Sequence, residues 1–253
     1  MVHHVMIAMS RDNPNVDTFE TWCEDRGLTS ELVDGCRVTS LADVKDCLTP
    51  YGYYMMHNWK ESSCQFDQLS VIGCFLSHRK AWQICVDRLE PVWIFEEGVS
   101  SYDTHMFETI DAEYGTYDLV LGHTMPVLRI LWQTSVNKRS LNRHLESIDK
   151  IYYGAKCYRI SPVFAQQLLD NSHRFDTHVD IYMCNMAMYY DTSYLLARTK
   201  NPIVSAWSSS CIKHTIESML LMVIILLLLA MGLGLSAIFL AFAYRKCRRT
   251  CSR

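Results

Sequence analysis

Short apolar runs alternate along this chain with stretches whose apolar residues recur every three or four positions. HHVMIAM (His3 to Met9) reads as a first strand, and DTFETWCEDRG as a helix that starts near Asp17 and stops at Gly27. ELVDG (Glu31 to Gly35) follows as a short strand ending in a turn. Further on, SHRKAWQICVDRL predicts a helix leading into PVWIFEE, a strand that runs straight into acidic residues, and YDLVLGH predicts another short buried strand. ISPVFAQQLLDNSHRF predicts a helix with Ser161 as N-cap and Pro162 in its first turn. This alternation predicts an α/β fold with a mostly parallel central sheet, in which ligands bind beyond the carboxyl ends of the strands. Glu96, Glu97 and His123 stand at such ends.

The far end of the chain breaks the pattern. Met219 to Ala243 contains no charged residue and no proline, and at about 1.5 Å rise per residue it covers a hydrocarbon core of about 30 Å. It is expected to be a single transmembrane helix. The start of the chain lacks the basic and apolar regions of a secretory signal, so the expected arrangement is tail-anchored, with the large domain on the cytosolic side. The basic tail YRKCRRTCSR pulls the other way, because Lys and Arg beside a membrane segment prefer the cytosolic side. The expected divisions are a domain over 1–212, a short linker over 213–218, the membrane helix over 219–243 and the basic tail over 244–253. No Pro/Gly/Ser-rich linker divides the large domain.

Charge and cysteine content narrow the chemistry. The chain has 24 basic and 27 acidic residues; five of the basic ones lie in the tail, where no acid is present, which leaves the remainder at 19 against 27, or −8. A net-negative domain makes a poor general nucleic-acid binder, so no nucleic-acid partner is expected. The 11 cysteines form no CxxC pair and no Cys/His spacing suited to zinc. Cys74, Cys85 and Cys184 read as small buried hydrophobes. Cys247 and Cys251 are either palmitoylation sites or free thiols.

Four blocks, in order, resemble glycosyltransferase family 25, which contains lipooligosaccharide and collagen galactosyltransferases. They are VDG (Val33 to Gly35), IGCFLSHRKAWQICVDRLEPVWIFEEG (Ile72 to Gly98), YDLVLGH (Tyr117 to His123) and GAKCYRISPVFAQQLLDNSHRFDTHVDIYM (Gly154 to Met183). The resemblance implies a GT-A-like nucleotide-sugar-binding domain, a UDP-hexose as donor, and a glycan or other hydroxyl acceptor. It also implies Mn²⁺ or Mg²⁺, held by acids at a strand end that reads Glu-Asp-Asp in the family. Here that end reads Glu96, Glu97, Gly98. Carboxylates there hold a cation that neutralises the charge developing on a diphosphate leaving group. The glycine removes one of them, so either Glu97 substitutes or the site is dead.

On this resemblance Glu96 and Glu97 are the candidate metal ligands, and with Ser77 and His123 they are the candidate cofactor-binding residues. His78 stands near the phosphates as a candidate catalytic group, with helix capping as its plain alternative. Asp180 is the candidate acceptor-side base, or else a turn-forming aspartate. Trp82 reads as core. NKRSLNRH (Asn137 to His144) is either an anion grip or a solvated face.

Two functions follow. The first is a membrane-anchored glycosyltransferase. The second is a catalytically inactive transferase fold that binds glycans, since the layout is also similar to that of poxvirus mature-virion envelope proteins that attach to heparan sulfate. In that case the virion membrane surface is its expected location.

Overall fold

The backbone of the protein, a computed structural model, is described over residues 2–58, 68–123, 140–148, 154–189 and 195–206. These residues belong to the unit Met1–Trp207. Among the described residues nine strands run in chain order: β1 His3–Ala8, β2 Ser30–Asp34, β3 Val92–Glu96, β4 Val99–Tyr102, β5 Leu119–Leu121, β6 Leu145–Ser147, β7 Cys157–Ile160, β8 Leu196–Thr199 and β9 Val204–Ala206. The described α-helices are α1 Pro14–Glu24, α2 Pro50–Asn58, α3 Gln68–Arg88, α4 Thr104–Tyr114, α5 Pro162–Asn171 and α6 Val179–Tyr189, with a 3₁₀ helix at Leu41–Cys47.

Local chemistry explains several helix ends. Asn13 accepts a hydrogen bond from the Asn15 N–H, and Pro14 occupies the first turn. This starts α1 three residues before Asp17. Gly27 lies just past its end at φ +61°, a conformation that costs glycine little. Ser161 caps α5 by accepting from the Phe164 N–H at 3.2 Å. Helix α3 begins at Gln68, well ahead of the expected Ser77, and runs through Gly73. A Cβ at Gly73 would lie 2.3 Å from the Cys36 carbonyl oxygen, so the glycine lets the helix approach the segment that follows β2.

Seven strands form one sheet in the order β2-β1-β3-β7-β5-β8-β6, and β4 pairs with β9 in a separate two-stranded sheet. The α/β architecture has a mixed sheet, which corrects the expectation of a mostly parallel one. The pairs β1/β2, β1/β3 and β5/β8 are parallel, whereas β3/β7, β5/β7 and β6/β8 are antiparallel. Alternating strand and helix patterns reveal elements and not their directions, and here β7 inserts antiparallel between β3 and β5. Its first residues therefore lie at the carboxyl end of β3.

The sheet separates two cores. Val5 and Ile7 of β1, Val92 and Ile94 of β3, and Tyr158 and Ile160 of β7 join one, with α3, α5 and α6. The alternate residues Met6, Ala8, Trp93, Phe95 and Cys157 join the other, with α1 and α4. This is the two-residue side-chain period of a strand covered on both faces. On the second face Arg159, 2% exposed, bonds Asp111 at 3.0 Å and the carbonyls of Tyr117 and Gly115.

The expected membrane anchor is also corrected. Among the described residues no helix is long and apolar enough to cross a membrane; the longest, α3, carries Gln, Ser, His, Arg, Lys and Asp residues along its length. The described residues supply no spanning helix for a single-pass C-terminal anchor, and the tail-anchored or virion-membrane localisation is corrected on that ground. The segments 213–218, 219–243 and 244–253, with Cys247 and Cys251, lie outside the described residues.

Candidate active site

A cavity of about 610 Å³ opens at the carboxyl end of β1 and β3. Its wall includes Cys36, Arg37, Cys74, Ser77, His78, Glu96 and Glu97. Strand alternation turns Glu96 to the same face as Val92 and Ile94, toward α3. On that helix Cys74, His78 and Trp82 follow at four-residue spacing and share one stripe.

A hydrogen-bonded chain runs from the core to the cavity wall. The Trp82 indole N–H donates to the Tyr158 hydroxyl at 2.8 Å, and that hydroxyl stands 2.7 Å from His78 Nδ1. His78 Nε2 lies 3.3 Å from Glu96 Oε1, and Lys156 Nζ donates to Glu96 Oε2 at 3.2 Å. One assignment satisfies every group: Tyr158 O–H donates to Nδ1, and Nε2–H donates to Glu96. Burial alone would raise the Glu96 carboxyl, but the His78 hydrogen bond and the Lys156 charge outweigh it and bring it down to about 2. Glu96 is therefore ionised at neutral pH. Burial, with some help from the Glu96 charge, holds the Tyr158 phenol well above its usual range.

Glu97 sits in the turn that joins β3 to β4, and three bonds fix it. Its N–H donates to the Ile7 carbonyl at 2.9 Å, its Oε2 accepts from the Met9 N–H at 2.7 Å, and its carbonyl accepts from Asn15 Nδ2 at 2.7 Å. The second carboxylate oxygen has no partner among the described residues. Gly98 completes the turn.

The structure thus brings Ser77, His78, Glu96 and Glu97 to one cavity. Ser77 has a tethering part there: its hydroxyl donates to the Gly73 carbonyl at 2.7 Å and accepts from the Cys36 N–H at 2.8 Å. His123 lies past the end of β5 and is absent from the described lining. Burial first, and the Lys156 charge second, depress its imidazole to about 4. Asp180 is also absent from the described lining. At the start of α6 its carboxylate accepts from the Gly154 N–H at 2.7 Å and the Ile181 N–H at 2.8 Å, which anchors the approach to β7.

Sequence reasoning missed Lys156, Tyr158 and Arg37. The alternation of Lys156, Tyr158 and Ile160 on one strand face was the available signal for the first two. Of the basic run Asn137 to His144, residues 137–139 lie outside the described residues, and Arg143 pairs with Glu113 at 3.3 Å. Nothing among the described residues favours that run as a glycan grip.

With this geometry the class is defined by comparison. The chain belongs to glycosyltransferase family 25 (LPS biosynthesis protein), whose model matches residues 3–183. That membership brings glycosyltransferase function in general, with a nucleotide sugar and an acceptor as its partners. Among solved structures the chain is similar to A197 from STIV, at 11% identity over 83% of this chain and 87% of that one, with a TM-score of 0.43. It is also similar to apo mouse xyloside xylosyltransferase 1, at 14% identity, 77% and 83% coverage and a TM-score of 0.33. A third is 4-diphosphocytidyl-2C-methyl-D-erythritol synthase from Anaerococcus prevotii DSM 20548, at 8% identity, 82% and 91% coverage and a TM-score of 0.35. Likenesses this distant add nothing to the family assignment. No curated protein matches the chain.

The residues present do not fit the hard divalent ion that the family resemblance implies. Mn²⁺ and Mg²⁺ favour oxygen ligands in a regular shell. Here one strand-end carboxylate already holds an ammonium and an imidazole, and the other holds a backbone N–H. Cys74, His78 and Glu96 do place one ligand atom each within 4.8 Å of one another. That set offers sulfur, nitrogen and oxygen, and burial pushes the Cys74 thiol well above its usual range, with Glu96 and Asp180 adding to the effect.

Proposed function

We propose that the cavity at the carboxyl end of β3 binds the diphosphate of a UDP-hexose, and that the protein transfers the hexose to a hydroxyl acceptor. The observation that carries this reading is the convergence of Ser77, His78, Glu96 and Glu97 on one cavity within the residues the family model matches. In the transfer the acceptor oxygen bonds to the anomeric carbon. The bond from that carbon to the diphosphate oxygen breaks, its electron pair leaves on the diphosphate, and the hydroxyl proton passes to a base.

Glu97 is the residue we assign to that base. It lines the cavity, and one of its oxygens has no partner among the described residues. Glu96 is unsuited, because a carboxylate held near 2 is a weak proton acceptor. His78 and Glu96 serve the donor: the Tyr158–His78–Glu96 chain fixes the orientation of the wall against which the nucleotide rests. Asp180 contributes by holding Gly154.

Calorimetry of the full chain with UDP-glucose and UDP-galactose tests donor binding, and heat with neither would remove the reading. Glu97→Gln keeps an acceptor for the Met9 N–H. It is expected to retain donor binding while transfer falls by about 10²–10⁴-fold; unchanged transfer would exclude Glu97 as the base.

A further inference from the structure

We propose that the Lys156 ammonium takes the place of a divalent ion as the cation this cleft sets against the diphosphate; the proposal rests on the reading above that the cleft takes a nucleotide sugar.

The fold puts the lysine there. Because β7 runs antiparallel to β3, the residue preceding β7 lies at the carboxyl end of β3. The Glu96 N–H donates to the Lys156 carbonyl at 3.0 Å, which extends the β3/β7 ladder by one residue. Alternation then turns Lys156 to the face shared by Tyr158 and Ile160, where Glu96 also points. A strand parallel to β3 would have brought its opposite end to this place. The approach to β7 is itself fixed. Gly154 adopts φ +113°, which glycine tolerates, and donates its N–H to the Asp180 carboxylate at 2.7 Å. Asp180 is thus a positioning residue for Lys156.

The same geometry disfavours a metal ion. Lys156 Nζ is 3.2 Å from Glu96 Oε2, so that oxygen already faces a positive charge. His78 takes the other oxygen. Met9 takes Glu97 Oε2, and Gly98 offers no side chain. A divalent ion at Glu96 would be held against an ammonium with few oxygens in compensation. A diphosphate approaching the same wall would instead meet Arg37, which lines the cavity, and the ammonium of Lys156, which is absent from the described lining but lies 3.2 Å from an oxygen of Glu96, which is on it. An ammonium is a strongly hydrated point charge suited to a phosphate, and its three N–H donors allow it to keep Glu96 while turning to a ligand.

The test uses the full chain and two probes, Mn²⁺ alone and UDP-glucose. Paramagnetic resonance of Mn²⁺ is expected to show no uptake by the wild type and uptake by Lys156→Ala, which frees Glu96. Calorimetry is expected to give the same UDP-glucose affinity for the wild type in EDTA and in Mn²⁺. In EDTA Lys156→Ala should bind at least about tenfold more weakly, and Lys156→Arg should stay within about threefold. Lys156→Met, which keeps the apolar stem, replaces the alanine variant if circular dichroism shows that variant unfolded. Wild-type uptake of Mn²⁺, wild-type binding that requires Mn²⁺, or unchanged affinity in Lys156→Ala would overturn the assignment of Lys156 and leave the nucleotide-sugar reading intact. Failure of the wild type to bind UDP-glucose under either condition would overturn the donor reading, and Lys156 with it.

Discussion

His78 Nδ1 and the Tyr158 hydroxyl stand 2.7 Å apart, and that contact joins the buried core to the cavity wall. Tyr158 is fully buried and also accepts the Trp82 indole N–H. Tyr158→Phe removes a donor from one partner and an acceptor from the other. It is expected to cost about 1–3 kcal/mol in urea unfolding, because both partners are left buried without a bond. A loss below a few tenths of a kcal/mol would show that the chain contributes little to stability.

Glu96 links the same chain to acid stability. Its carboxyl falls from 4.5 to about 2 in the folded state. A depressed acid contributes stability that is fully present above its unfolded value and is lost as pH falls through its folded one. Stability is therefore expected to drop between pH 4.5 and about 2, by an amount on the order of 3 kcal/mol from this group. Glu96→Gln should flatten that part of the curve measured by urea midpoints. An unchanged acid limb in the variant would refute the assignment.

His4 produces a second limb at higher pH. Its ring is 2% exposed, stacks on Phe95 at 6.1 Å and meets Trp22 edge-on at 5.3 Å. Burial first, and the neighbouring His3 second, depress it from 6.5 to about 4. The unfolded chain binds the proton more readily, so stability falls as pH drops from 6.5 toward 4. His4→Phe should reduce the slope there by about one proton; His123, held low in the same way, retains its own share. A slope identical in variant and wild type would count against this origin.

Gly73 offers a steric test of the cavity wall. Any Cβ there meets the Cys36 carbonyl at 2.3 Å, and backbone must move to relieve it. Gly73→Ala is expected to cost about 1–3 kcal/mol and to weaken donor binding, because Cys36, Arg37 and Ser77 all lie on the cavity lining. Thermal melts together with calorimetry would check both. Full stability in the variant would mean that the two segments part at little cost.

Much of this was legible in the chain where one physical signal dominated. The apolar run of β3 announced a strand ending in acids, and Ser161 with Pro162 announced α5. The start of α1 was misplaced because Asn13 and Pro14 act before the apolar period begins. Gly73 hid the first turns of α3, since a glycine inside a helix reads as a break until its close neighbour is known. Strand direction left no mark on the pattern, which is why Lys156 went unnoticed although Glu96 did not. Motif order brought His78 and both acids to one place. It could not show that Asp180 holds a backbone N–H, because that depends on where Gly154 falls.

The antiparallel insertion of β7 also bears on how the protein must be made. Until residues 157–160 have been synthesised, β3 is a border strand, paired with β1 on one edge and open on the other, whose side chains from Val92 to Phe95 are destined for full burial. Such a border invites pairing with another nascent chain. A product truncated ahead of that strand would keep both acids and lose the lysine that neutralises one of them, so it would be prone to clump and unable to acquire a working cleft.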